Sequence, residues 1–231
     1  MNRLVMPLPD DRRVRRFAQL MVGLVLFGAT AAMMVLAGLG LDPWDVFHQG
    51  LARSTGLQIG TWTIIVSVLV LVLWIPLPQR PGVGTLLNAA LVGVVMNVVL
   101  GTFSPPHQLW ARVLLLVGGV AGQGLATGLY IGAGLGPGPR DGLTTGIAAR
   151  GYSIRVIRTG IEASVLAVGY LLGGTVGIGT LLFALTIGPI MHAVIPVFAL
   201  DSSWRARTGV GSGELGLVAG GTEHDRLARD A

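Results

Sequence analysis

The stretch Gly134–Gly151 reads G-L-G-P-G-P-R-D-G-L-T-T-G-I-A-A-R-G and breaks a long apolar run with glycines, two prolines and an Arg140–Asp141 pair. A second copy lies upstream, where Gly38–Gly50 reads G-L-G-L-D-P-W-D-V-F-H-Q-G. A shift of 96 lays Gly38 on Gly134, Gly40 on Gly136, Pro43 on Pro139, Asp45 on Asp141 and Gly50 on Gly146. The chain is therefore a repeat built around a G-x-x-x-x-P-x-D turn. Pro43 and Pro139 suit the first position of a helix, where the missing N–H costs nothing. Asp45 and Asp141 then fall in the first turn, where a carboxylate can reach unpaired N–H groups and meets the positive dipole end. Asp42 is placed to cap the first helix; Gly138 holds that place in the second. Capping by Asp45 and Asp141 is the plainer expectation. A polar site at two helix N-termini inside a membrane protein is the sharper one.

Outward from the turns, the composition fixes the solvent. Of 231 residues 52% are hydrophobic and 12% charged, with a mean hydropathy of +0.72. That is too apolar for a soluble domain and fits a polytopic membrane protein. All sixteen basic residues are arginine, which removes P-loop nucleotide chemistry and Schiff-base catalysis, since both need lysine. The absence of cysteine removes thiolate nucleophiles, disulfides and thiolate metal sites. His48, His107, His192 and His224 show no ligand spacing, so neither a metal nor a cofactor is expected. The net charge of +5 reflects in part an arginine-rich N-terminus, a topology signal rather than a nucleic-acid footprint.

Six apolar runs follow: Phe17–Leu39, Thr61–Ile75, Val83–Phe103, the run opened by Trp110 with Val113–Ala133, Ile154–Leu172 and Gly177–Leu200. Trp62 and Trp74 read as interface anchors. Beyond the first turn the repeat shift becomes 95, aligning Gly84–Leu87 with Gly179–Leu182 and Gly93 with Gly188, while Arg16 matches Arg112 at 96. The expected architecture is an all-α membrane protein of six transmembrane helices in two three-helix repeats, each with a short extra helix after its turn. Its parts are a polar tail (1–15), repeat one (16–103), a linker (104–111), repeat two (112–200) and a flexible C-terminal tail (201–231).

An odd number of spans per repeat inverts one half against the other. Arginines support a cytoplasmic N-terminus: Arg12, Arg13, Arg15, Arg16, Arg80, Arg140, Arg150, Arg155, Arg158, Arg205 and Arg207 then lie inside, and only Arg53 and Arg112 outside. Both ends are thus expected on the cytoplasmic side of a bacterial plasma membrane. Gly124, Gly128, Gly132 and Gly136 recur every four residues and read as a smooth packing ridge.

Among polar residues within the runs, Glu162 is the most informative. It falls near the middle of the fifth run, where a carboxylate must be paired, protonated or facing water. Arg158 lies four residues earlier on the same face and can pair with it. Its repeat counterpart is Ser67. Gln123, Asn88, Asn97 and His192 read first as interhelical glue. The candidate substrate- or ion-binding residues are accordingly Asp45, Asp141, Arg140, Arg158, Glu162, Gln123, Asn97 and His192.

D-P-W-D at Asp42–Asp45, V-G-T-L-L-N at Val83–Asn88, G-P-R-D at Gly138–Asp141, R-T-G-I-E at Arg158–Glu162 and the run Gly177–Pro189 together resemble the YczE-like family of bacterial multi-pass membrane proteins, a family related in pattern to the YitT-type group. The resemblance covers about Arg16 to Pro196. It implies a fold and a membrane location, and brings no activity with it. Three functions remain: a small-molecule or ion transporter, a non-transporting scaffold or regulatory partner, and, far behind, a membrane enzyme, for which no nucleophile–base pair is visible. The expected partners are the lipid bilayer, a small polar solute or ion, and a second copy of the chain; nucleic acid is excluded.

Overall fold

The computed structural model describes residue 6, residue 9 and residues 11–77 and 79–200. The expected tail 201–231 (with Arg205 and Arg207), Pro78 and most of the first ten residues lie outside the described residues. The described residues form eight helices and no strand. They are α1 (Arg13–Ala37), α2 (Pro43–Thr55), α3 (Ile59–Leu73), α4 (Val83–Thr102), α5 (Leu109–Gly132), α6 (Pro139–Ala148), α7 (Ile154–Leu171) and α8 (Ile178–Phe198). The protein is an all-α integral membrane protein.

Four helices, α1, α4, α5 and α8, are long and apolar enough to cross a membrane, and a fifth crossing arises if α2 and α3 are one broken span bent by 114°. Six were expected. The second, α3, has fifteen residues, only about 22 Å at 1.5 Å per residue. The fifth, α7, holds Arg155, Arg158 and Glu162 within eighteen residues, so its composition falls short.

The two turns are near-copies. Gly38 and Gly134 end the long helices with φ of 59° and 69°, and Gly40 and Gly136 follow with φ of 117° and 119°. The last two values are open to glycine and closed to side-chain-bearing residues. Each turn then docks on the final helix of the opposite half. Gly179 N–H donates to Leu39 O, and Gly84 N–H to Leu135 O, both at 2.8 Å.

The same reciprocity governs the arginines. Arg16, at the start of α1, donates to Ala133 O just beyond α5 at 3.0 Å. Arg112, at the start of α5, donates to Ala37 O and Gly38 O at the end of α1, at 2.7 and 2.9 Å. Each arginine satisfies carbonyls left open by a helix end, and α1 and α5 run antiparallel. Arg16 is 1% exposed and also pairs with Asp11 at 2.8 Å. It is a structural cap. At the far ends, Arg53 donates to Gly173 O and Arg150 to Pro76 O.

The glycine ridge of α5 meshes with α8: Gly124 faces Ile190, Gly128 faces Val194 and Gly132 faces Phe198, all at four-residue spacing. α4 packs on α1 as α8 packs on α5, and α2 and α3 meet α7 and α6 of the other half. The halves differ in one seam. α3 packs along α4, whereas α7 and α8 share no comparable seam.

Candidate functional site

The site grows from the first turn. Asp42 takes the extended N-cap conformation, and its Oδ1 accepts from Trp44 N–H at 3.0 Å and Asp45 N–H at 3.3 Å. That geometry is what an N-cap aspartate supplies. Oδ1 accepts a third bond, at 3.2 Å, from Arg140 of α6. The Arg140 guanidinium also lies over the rings of Phe27 (5.4 Å) and Trp44 (5.9 Å). Trp44 and Arg140 are repeat-equivalent, so the two turns meet through matched positions.

Asp45 does not cap. Its Oδ1 faces His48 Nδ1 at 3.1 Å, one helical turn away on the same face. His48 Nδ1 also meets Thr63 Oγ1 of α3 at 3.2 Å. The Thr63 hydroxyl is itself within donating distance of Ile59 O, at 3.1 Å. Asp42, Asp45 and His48 are each 2% exposed or less. Three of their atoms, Asp42 Oδ2, Asp45 Oδ2 and His48 Nε2, are buried without a hydrogen-bond partner.

His48, Thr63, Ser67, Asn88 and Arg140, together with Trp44, Val66, Val70, Val92 and Pro139, line a cavity of about 10 Å³. That is room for about one water. Trp74, at the end of α3, donates from Nε1 to Pro139 O at 3.1 Å and ties α3 to the start of α6.

The second turn solves the same backbone problem with different chemistry. Gly138 is the N-cap of α6 and no side chain caps the helix. Asp141 stays in the first turn, where its Oδ2 accepts from Tyr130 OH of α5 at 2.5 Å. Arg158 donates to Glu162 Oε1 at 2.9 Å and lies within electrostatic reach of Asp141 and Tyr130. Their side chains are 45% and 36% exposed, so this pair sits at the outer side of the bundle rather than in its centre.

The sequence candidates therefore divide. Asp45, Arg140 and Asp141 come together around the turns, with Arg158 and Glu162 at the margin. Asn97 does not join them: its Oδ1 accepts from Gly60 N–H (2.9 Å) and its Nδ2 donates to Thr61 Oγ1 (3.1 Å), tying α4 to α3. His192 is exposed on α8. Gln123 is buried on α5 with its Oε1 unpartnered, and no bond links it to the cluster. Sequence reading missed His48, whose signal was the three-residue step from Asp45. It also missed Tyr130, for which no local pattern exists.

Comparison with known proteins agrees with the membrane reading. An uncharacterized protein of Haemophilus influenzae is 39% identical over 181 residues, 78% of this chain and 83% of its own. The Bacillus subtilis "uncharacterized membrane protein YczE" is 32% identical over 187 residues, covering 79% and 86% of the two chains. A second Bacillus subtilis protein, "uncharacterized protein YyaS", is 27% identical over 183 residues, 76% and 90%. No solved structure matches. Residues 14–196 match the family of unknown function DUF6198, and with its YczE relative this places the chain in that YczE-like family of membrane proteins.

Proposed function

We propose that the protein is a small-molecule or ion transporter, a binder and mover of its ligand rather than an enzyme. In this reading repeats 16–103 and 112–200, joined by the linker 104–111, lie inverted in the bacterial plasma membrane with both termini cytoplasmic. The ligand site lies where the two turns meet, at Asp42, Asp45, His48 and Arg140, with Asp141, Tyr130, Arg158 and Glu162 beside it. The observation that carries the reading is the buried polar cluster with its three unpartnered atoms. Ionisable groups are expensive inside an apolar bundle and mark substrate or ion paths.

The inversion is supported by the antiparallel run of α1 and α5, which are repeat-equivalent, and by the reciprocal Arg16 and Arg112 caps. The six-span count requires α3 and α7 to cross with help from their flanking turns. The unequal α3–α4 and α7–α8 seams fit two halves held in different states, as alternating access between repeats requires.

A second reading, a non-transporting scaffold or regulatory partner, is favoured by one observation: the cavity admits about one water. Reconstitution in liposomes with a broad uptake screen separates the two. Transport lost in Asp42→Asn and Arg140→Gln is the expected result. No flux of any solute or ion from well-folded protein sinks the transport reading. The cysteine-free chain also allows a topology test, with single cysteines at the exposed Leu57 and Tyr152. An impermeant thiol reagent should label the first and spare the second in intact cells; labelling of both removes the inversion.

A further inference from the structure

Every orphaned atom at the first turn is an acceptor. A carboxylate oxygen can only accept, and Asp45 opposite Nδ1 requires that nitrogen to carry the ring hydrogen. That leaves the His48 Nε2 lone pair bare, on a residue that lines the cavity. Spare acceptors call for an occupant that donates, and the cavity has room for about one water. Charge points the same way. Asp42 and Asp45 are close enough to repel one another, and the single guanidinium of Arg140 is shared between them and Asp141. One carboxyl group at the first turn has no cation of its own. Among the described residues no group of His, Asp and Glu converges to hold a metal ion.

We infer that the Asp42–Asp45 pair binds a proton, delivered from the cavity through His48. The inference rests on the site reading above and names its coupling ion. In the step, a proton from a hydronium in the cavity adds to the Nε2 lone pair. The Nδ1–H bond breaks, its electron pair stays on Nδ1, and that proton joins Asp45 Oδ1. The ring ends neutral with its hydrogen on Nε2, the carboxyl pair gains one proton, and release runs the step backward. The groups facing His48 suit this. α2 supplies Asp42 and Asp45, α3 Thr63 and Ser67, α4 Asn88 and α6 Arg140. α7 meets the other side of α2 with Gly169 against Phe47.

The test is an infrared pH titration of the full chain in lipid, following the carbonyl stretch of protonated carboxyl groups. The wild type should show such a band, growing as pH falls. Asp42→Asn and Asp45→Asn should each remove at least half of it. In His48→Gln the band should persist at equilibrium but fill about a hundredfold more slowly after a pH jump, the scale of a lost general acid–base group. A band unchanged in both aspartate variants overturns the proton site. Filling at the wild-type rate in His48→Gln overturns the relay. Should either aspartate variant fail to fold, the His48→Gln rate decides alone. Proton binding without any solute flux would sink the transport reading and keep this one. Solute flux with no titrating band at the pair would do the reverse.

Discussion

The two G-x-x-x-x-P-x-D turns share a backbone and differ in chemistry. Both carry glycine at φ near 118° in the middle, proline at the first helical position and an aspartate two residues later. Around the first, an aspartate caps the helix, a second faces a histidine, and α3 closes on α4. Around the second, glycine stands at the cap, a tyrosine from α5 holds the aspartate, and α7 stands away from α8. The difference teaches that the two turns keep in common what the backbone needs and diverge in the side-chain chemistry around it. The glycines and prolines common to both turns are architectural; the aspartates, whose partners differ between the turns, and the residues found in one turn alone are candidates for function.

The sharpest way to break that division is to strike the shared part. Gly40→Ala and Gly136→Ala should each destabilise the chain by about 4 kcal/mol, summing backbone strain and overpacking. A Cβ on Gly40 would lie 2.8 Å from the Gly177 and Thr180 nitrogens, and one on Gly136 would lie 2.7 Å from Thr85 Oγ1. Thermal unfolding in detergent should show losses of similar size. A large loss at one turn and none at the other would mean that the halves do not depend on the same geometry.

This much was legible in the sequence because the glycines, prolines and matched arginines are local demands repeated at fixed spacing. The G-x-x-x-x-P-x-D turns, the Arg16–Arg112 match and the α5 ridge all follow from the aligned halves. The second and fifth runs yield helices that do not meet the length and composition of a span by themselves: α3 has fifteen residues and α7 carries three charged ones. Of the two readings of Asp45 and Asp141, the plainer one, capping, does not hold: neither carboxylate bonds to the open N–H groups of its helix. First-turn position suggests a cap, but only tertiary contact reveals His48 beside one and Tyr130 beside the other. A cluster assembled from α2, α3 and α6 has no single stretch of sequence to announce it.

Next in size are the aspartates, which separate the two turns. Asp42→Asn can still cap and still accept from Arg140, but loses the charge in both, a loss of about 2 kcal/mol. Asp141→Asn keeps an oxygen for the Tyr130 hydroxyl and should lose about 0.5 kcal/mol. Asp45→Asn should move the other way, raising stability by about 1 kcal/mol, because it relieves the like-charge repulsion between Asp45 and Asp42. Denaturation of all three variants orders them. Equal losses at Asp42 and Asp141 would erase the contrast between the turns. A loss at Asp45 of the same size as at Asp42 would return it to a structural role.

The smallest effect is expected at Glu162, and it sharpens the comparison most finely because its counterpart in the first half is Ser67. Were the Arg158–Glu162 pair fully buried, removing one partner would cost about 3–5 kcal/mol. Both side chains are more than a third exposed, however, and α7 has only Gly169 fully buried along its length. Arg158 can keep its head toward water along an apolar stem, so Glu162→Gln should lose only about 0.5 kcal/mol, the scale of an exposed i,i+4 pair. Arg158→Gln should lose about the same, and the double variant no more than about 1 kcal/mol, since an exposed pair has little coupling to recover. Melting curves for the two single variants and the double variant form a complete cycle. A large single-variant loss restored in the double variant would show a pair shielded from water, and α7 would then close on a neighbour as α3 closes on α4. Near-additive small losses would keep α7 as the open side of the bundle, and any failure of solute uptake in Glu162→Gln would then be an effect on transport and not on folding.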